Sequence, residues 1–257
     1  MPLLNAWFKD EKEIDGSKTL WMLSEKSTQR AIVFENFCTA VRAHYDDLNN
    51  IADTVAELGY PLAGSLLKER LPTTKTAMSG ELGEIMAAEF VEEYLGYTVP
   101  IKRIRYKDGR EMALRGDDFI GLIYDANGLA LLKGESKSRA ALSKTTIDEA
   151  RRALDRDGGR CTPISLLFVA DRLLEKDGKD KKMGKILRAE VAIKKLKPAQ
   201  IAHAFFTLSG NNPKKQLTKD LSAADKRRKQ NVINICIADH QNFIEDTYKK
   251  VADLGNC

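Results

Sequence analysis

Apolar residues recur at mixed three- and four-residue spacings from Ala31 to Val41 and from Leu48 to Leu58, the pattern of helices with one buried face. Residues 1–76 therefore read as a mainly helical region, broken at Gly59-Tyr60-Pro61 and again at Leu71-Pro72-Thr73-Thr74. A longer helix is predicted from Ser79 to Leu95, S-G-E-L-G-E-I-M-A-A-E-F-V-E-E-Y-L, and Gly96 ends it. At about 100° per residue, Glu81, Glu89, Glu92 and Glu93 share one polar arc, while Glu84 falls between Val91 and Leu95 on the apolar side. An inward acid costs on the order of several kcal/mol unless it is paired or binds a cation.

The period then shortens. Tyr97 to Tyr106 reads as a β-rich strand with basic residues toward its end, and Lys107-Asp108-Gly109-Arg110 supplies a turn. From Arg115 to Arg139 the chain reads R-G-D-D-F-I-G-L-I-Y-D-A-N-G-L-A-L-L-K-G-E-S-K-S-R, two apolar strands around Asn127-Gly128, a strong hairpin signal. With those two residues as the loop, Ala126 faces Leu129, Ile120 faces Glu135 and Asp118 faces Lys137. Asp118, Glu135 and Lys137 then project from one side of the hairpin, and Asp117 from the other; any loop with an even number of residues preserves that parity. Both strands are apolar on both faces, as in a sheet covered on each side.

After Ser138 a short amphipathic helix is expected around Ile147, Ala150, Ala153 and Leu154, with Thr146-x-x-Glu149 as a capping box and Arg151, Arg152 and Arg156 outward. Gly158-Gly159 stops it, and Pro163 to Ala170 reads as a strand. Glu175 to Lys182 reads as an exposed loop, Lys181 to Lys195 as a helix, Ala202 to Leu208 and Val232 to Ala238 as strands, and Asn242 to Leu254 as a closing helix. The core order is helix, strand, hairpin, helix, strand (αβββαβ), an α/β fold with a mixed sheet flanked by helices. The expected division is 1–76 for the helical region and 77–257 for the sheet domain with a C-terminal extension.

Composition adds constraints. Hydrophobic residues make up 43% of the 257, so the chain is expected to be globular. No charged-then-apolar leader opens it, and no apolar run approaches the roughly 18 residues of a membrane span, so a cytoplasmic protein without a membrane partner is the expectation. Cys38, Cys161, Cys236 and Cys257, like His44, His203 and His240, are too scattered for a local zinc site and read as structural. Gly16-Ser17-Lys18-Thr19 lacks the Gly-Lys pair of a phosphate loop, so no bound nucleotide is expected. The net charge is +5, and the segment Pro213 to Gln230 alone carries +5, with Lys214, Lys215, Lys219, Lys226, Arg227, Arg228 and Lys229 against Asp220 and Asp225. Lys214, Lys215, Lys226, Arg227, Arg228 and Lys229 are candidate contacts to DNA phosphates; a solvated surface is the plainer account.

Converging carboxylates suit Mg²⁺ or Mn²⁺, and a lysine two residues along the same strand face lies roughly 7 Å away. Such parts suffice to hydrolyse a phosphodiester. The triplet alone means little, since Asp10-Glu11-Lys12, Asp177-Gly178-Lys179 and Asp180-Lys181-Lys182 repeat it in hydrophilic surroundings. Glu135-Ser136-Lys137 differs in ending a buried strand, facing Asp118 and following a helix with an inward acid. A surface ion pair at a strand end is its structural alternative.

Over Ser79 to Ala170 this order resembles the PD-(D/E)xK nuclease core of restriction-endonuclease-like folds. Within it, G-E-L-G-E, R-G-D-D-F-I-G and G-E-S-K-S resemble the HamA family, nuclease subunits of the Hachiman antiphage defence system, and the related AbpA proteins. The resemblance implies metal-binding carboxylates at Asp118 and Glu135, a catalytic lysine at Lys137, a supporting acid at Glu84, and a helicase partner of the HamB type. The proline of the motif is absent: Gly116-Asp117 precedes Asp118, leaving Asp117 as a competing first ligand. A metal-dependent DNase serving as effector of a helicase-coupled defence complex is the leading expectation. The alternatives are a catalytically silent DNA-binding or helicase-regulating subunit, and a repair or structure-specific nuclease on the same core.

Overall fold

The computed structural model describes residues 2–112 and 114–254. It opens with a short helix α1 (Leu3–Trp7) and a hairpin, β1 (Phe8–Asp15) and β2 (Lys18–Glu25). Residues 1–76 are mainly helical as expected, and this hairpin is the part of them the sequence pattern does not show. In β1, F-K-D-E-K-E-I-D, only Phe8 is buried, so no apolar alternation marks it as a strand. Charges along a sheet edge discourage further pairing. Gly16-Ser17-Lys18-Thr19 is the turn of this hairpin and the start of β2.

Helices α2 (Gln29–Tyr45), α3 (Leu48–Leu58) and α4 (Tyr60–Lys68) follow, and Pro61 sits in the first turn of α4 instead of only breaking the chain. Helix α5 (Lys75–Leu95) starts a turn before the expected Ser79, because the Thr74 hydroxyl accepts from Ala77 N, and ends on Gly96 at φ 70°.

Residues 97–106 do not form the expected strand. Thr98 alone bridges Leu122, and Arg103–Tyr106 is a 3₁₀ turn. Pro100 lacks an N–H, and the Val99 N–H goes to the Glu92 carboxylate at 2.9 Å, so the segment has no ladder donors to offer there.

The hairpin is present as β3 (Phe119–Asp125) and β4 (Gly128–Arg139). Helix α6 (Lys144–Asp155) is capped by Ser143, whose Oγ accepts from Thr146 N at 3.2 Å, and not by the Thr146 box. The expected strand at Pro163 to Ala170 is a helix, α7 (Pro163–Leu174). Thr162 caps it, Pro163 fits its first turn, and Leu166, Val169, Ala170 and Leu173 bury one face at helical spacing. A short apolar run does not by itself separate the two conformations. The remaining elements are α8 (Gly178–Ile193), β5 (Ile201–Ser209), α9 (Lys214–Ala223), β6 (Gln230–Cys236) and α10 (His240–Ala252).

One mixed six-stranded sheet results, ordered β1-β2-β6-β5-β4-β3. Its four central strands run parallel and its two edges are antiparallel. The sheet spans the 76/77 division, since β2 pairs with β6. One face packs on α2, α5 and α10 through Phe37, Phe90, Phe206 and Phe243; the other packs on α7 and α8 around Ile120 and Leu131, and on α6 and α9 around Phe205 and Val232. The α/β class with helices on both faces is as expected from sequence. Cys38 and Cys161 are buried, Cys236 is partly exposed and all three are free thiols; Cys257 lies outside the described residues. His44, His203 and His240 are all buried. Among the described residues no helix is long and apolar enough to cross a membrane.

Candidate active site

The hairpin is one step out of the expected register. Ala126 and Asn127 form its tip, Asp125 faces Gly128, and Ile120 faces Lys133. Among the tip residues only Gly128 takes a positive φ, 94°, whereas an Asn-Gly type I′ turn needs two; Asp125 Oδ1 accepts from Asn127 N at 2.7 Å instead. The loop still has two residues, so parity survives within the ladder, but Asp117 and Asp118 precede its first pair, Phe119–Gly134, and Asp117 meets Lys133 on the Glu135 and Lys137 face of β4. Asp118 lies near enough to Glu135 for its charge to act on that carboxyl.

Asp118 is fixed twice: its N–H donates to Gly134 O at 3.2 Å, and its Oδ2 accepts from Ser136 N at 2.7 Å. Lys137 Nζ donates to Glu135 Oε1 at 2.6 Å. Glu135 is only 7% exposed, and burial together with the Asp118 charge pushes its carboxyl up to about 7 against the pull of Lys137. Burial also raises Asp118, opposed by the Ser136 N–H and by Lys137. Lys137 itself is raised, because Glu135 and Asp118 outweigh the cost of its burial.

Glu84 reaches Asp118 from α5. The two acids line one cleft with His44, Ala88, Arg103 and Phe119. Burial first, then Asp118, lifts Glu84 well above the carboxylate range, and Arg103 opposes the shift. Asp118 is thus the hinge of the group, with Glu135 and Lys137 on one side and Glu84 on the other. Close approach of α5 depends on Gly83, where a Cβ would lie 2.9 Å from Ser136 Oγ and 3.0 Å from Ser138 Cβ. Among the described residues no three His, Cys, Asp or Glu side chains already form a metal-holding group.

Asp117 takes no part in this group. Its Oδ2 accepts from Thr162 N at 2.7 Å, and Lys133 Nζ lies 3.6 Å from its Oδ1. Lys133 and Arg103, both buried beside these acids, escaped the sequence reading. The spacing Lys133-x-Glu135-x-Lys137 on one strand face was a usable signal for the first; the 3₁₀ turn that presents Arg103 left none.

The basic segment lies elsewhere. Gln230 opens β6 level with His203 and Lys133, so Lys226–Lys229 precede the sheet at that end, about 16 Å along the strands from Lys137. Lys215, Lys226 and Lys229 are exposed. Lys214 Nζ pairs with Glu13 at 2.7 Å and Arg227 Nε with Asp225 at 3.0 Å. Arg228 is 3% exposed and donates to Gly158 O, so its guanidinium serves the interior.

A family model described as HamA matches residues 1–251, nearly the whole chain. The chain belongs to the HamA family. A curated relative, the Hachiman protein HamA of Bacillus cereus, is 30% identical over 116 residues, 45% of this chain. The match spans 40% of that relative's length. The family assignment agrees with the resemblance carried by G-E-L-G-E, R-G-D-D-F-I-G and G-E-S-K-S.

Proposed function

We propose that this HamA-family chain is a metal-dependent deoxyribonuclease of the PD-(D/E)xK type, acting as the effector subunit of a helicase-coupled antiphage defence complex. The observation that carries the reading is Asp118 bonded to Ser136 N, next to Glu135 on β4, with Lys137 Nζ 2.6 Å from Glu135 Oε1.

The donor set fits Mg²⁺ or Mn²⁺. Asp118 and Glu135 are hard oxygen ligands held close enough that the Asp118 charge raises the proton affinity of Glu135, and a cation would relieve that repulsion. Bound there, the ion would act as a Lewis acid on the phosphodiester. Lys137 holds its proton at Nζ and gives up Glu135 to face the phosphate oxygens, where its charge stabilises the developing negative charge. Glu84, its proton affinity raised by burial and by Asp118, completes the acid group. The exposed Lys215, Lys226 and Lys229 are proposed to grip DNA phosphates, aided by Lys214 and Arg227 when their surface ion pairs exchange. Arg228 is left out of this role because it is buried.

The test is cleavage of linear, nicked and branched duplex DNA in Mg²⁺, by the chain alone and with a HamB-type helicase. Lys137→Ala should lose at least about 100-fold in rate with an unchanged melting temperature. Full cleavage by that variant refutes the mechanism, and a preference for branched DNA would favour a repair-type substrate.

A further inference from the structure

Asp117 and Asp118 are adjacent acids in opposite circumstances. Asp117 is 3% exposed and its Oδ2 accepts two bonds, from Thr162 N at 2.7 Å and from Thr162 Oγ1 at 3.2 Å. Its own N–H donates to Ser165 Oγ at 2.7 Å, and that oxygen lies 2.9 Å from Thr162 Oγ1. Thr162 and Ser165 are buried at 5% and 0%, and Thr162 is the N-cap of α7. The chain just before Asp118 is therefore fastened to the start of a helix.

A second fastening runs to β4. Lys133 Nζ lies 3.6 Å from Asp117 Oδ1 and donates to Arg156 O at 2.9 Å; the lysine is 1% exposed. It stands two residues before Glu135 on the same strand. Gly116 makes the approach possible: its φ is 101°, and a Cβ there would fall 2.1 Å from Ser165 Oγ. With Oδ2 taking two donors and Oδ1 facing an ammonium, the Asp117 carboxylate is already committed.

We infer that Asp117 is a positioning residue and not a cation ligand: by tying the chain to α7 and, through Lys133, to β4, it holds Asp118 near Glu135. The inference rests on the nuclease reading above. It explains why two acids stand where the motif needs one, with the second replacing the rigidity a proline would give.

The experiment compares wild type, Asp117→Asn, Asp118→Asn and the double variant Asp117→Asn/Lys133→Met. Binding of Mn²⁺ alone is followed by electron paramagnetic resonance, and cleavage of linear duplex DNA is resolved into kcat and KM. Asp118→Asn should weaken Mn²⁺ binding at least about tenfold. Asp117→Asn should bind Mn²⁺ within about threefold of wild type while kcat falls roughly 10- to 100-fold at unchanged KM, the mark of a displaced group. The double variant removes both buried charges but leaves the tie to β4 broken, so its kcat should stay as low as that of Asp117→Asn.

Loss of Mn²⁺ binding by Asp117→Asn to the level of Asp118→Asn makes Asp117 a ligand and overturns the inference. So does wild-type kcat in Asp117→Asn, or a double variant restored to wild-type kcat. If Asp117→Asn does not fold, the double variant decides alone: Mn²⁺ binding near wild type supports the inference and its loss overturns it. A wild-type chain that neither binds Mn²⁺ nor cleaves DNA removes the nuclease reading, and this inference with it.

Discussion

Glu135→Gln should make the metal-free protein more stable and inactive at once. The Glu135 carboxyl titrates at about 7 in the fold against an ordinary 4.5, because burial and Asp118 outweigh Lys137. Its folded value is the higher one, so between pH 4.5 and about 7 the native state holds more proton than the unfolded chain. Stability then falls as pH rises, by about 1.4 kcal/mol for each pH unit crossed. Across that interval the penalty approaches about 3 kcal/mol, complete above pH 7 and absent below pH 4.5. Gln cannot ionise and retains an acceptor for Lys137, whose side chain is 23% exposed and is free to turn to water. A net gain of about 2 kcal/mol at pH 8 and about zero at pH 4.5 is expected. Urea unfolding in EDTA at the two pH values measures it, and adding Mg²⁺ should stabilise wild type but not the variant. An equal gain or loss at both pH values would refute the buried-acid account.

In Gly83→Ala the new methyl meets Ser136 Oγ at 2.9 Å and Ser138 Cβ at 3.0 Å, so α5 must shift off β4. A loss of about 1–3 kcal/mol by thermal unfolding is expected, with cleavage falling more than stability does, because Glu84 rides on the same helix. His44, buried against Glu89 at 2.8 Å, is held down to about 4 chiefly by burial, and His203 likewise. The unfolded chain binds more proton between pH 4 and the ordinary 6.5, so the stability of wild type relative to a His44→Gln/His203→Gln variant should fall on acidification through that window, by up to about 1.4 kcal/mol per unit per histidine. A flat profile there would contradict neutral buried imidazoles. Replacing Lys215, Lys226 and Lys229 by Ala should lower the slope of log affinity for duplex DNA against log salt by about 2–3, read by fluorescence anisotropy. An unchanged slope would place the DNA track elsewhere, while Arg228→Ala should instead cost about 1–3 kcal/mol of stability.

The site was more legible than the fold around it. Strand parity groups Asp118, Glu135 and Lys137, and they do lie together, but it puts Asp117 on the far side, whereas Asp117 meets Lys133 on that same face because both acids precede the ladder. Glu84 was visible because an acid on an apolar helix face is anomalous whatever it packs against. What failed depended on the rest of the chain. The charged β1 carries no apolar signature and is a strand only because β2 pairs with it. Pro163 to Ala170 is apolar enough for a central strand, but Thr162 and Pro163 start a helix there, and β5 takes the place beside β4. The basic segment looked uniform in sequence, yet Asp225 and Gly158 draw Arg227 and Arg228 into different settings.

Sheet position explains why the charges of β4 are tolerable. Its neighbour β5, I-A-H-A-F-F-T-L-S, is buried at every position, and Phe205 and Thr207 stand beside Glu135 and Lys137 without a charge to offer. Compensation has to come from β4 itself or from the opposite side, where β3 is the sheet edge and Asp118 precedes its first residue. Lys133 is answered by Asp117, and Lys137 by Glu135. That pairing leaves Asp118 with the Ser136 N–H and the pull of Lys137 and Arg103 at the end of the edge strand. On the proposed nuclease reading, a cation held by Asp118 and Glu135 would compete with Lys137 for the Glu135 carboxylate.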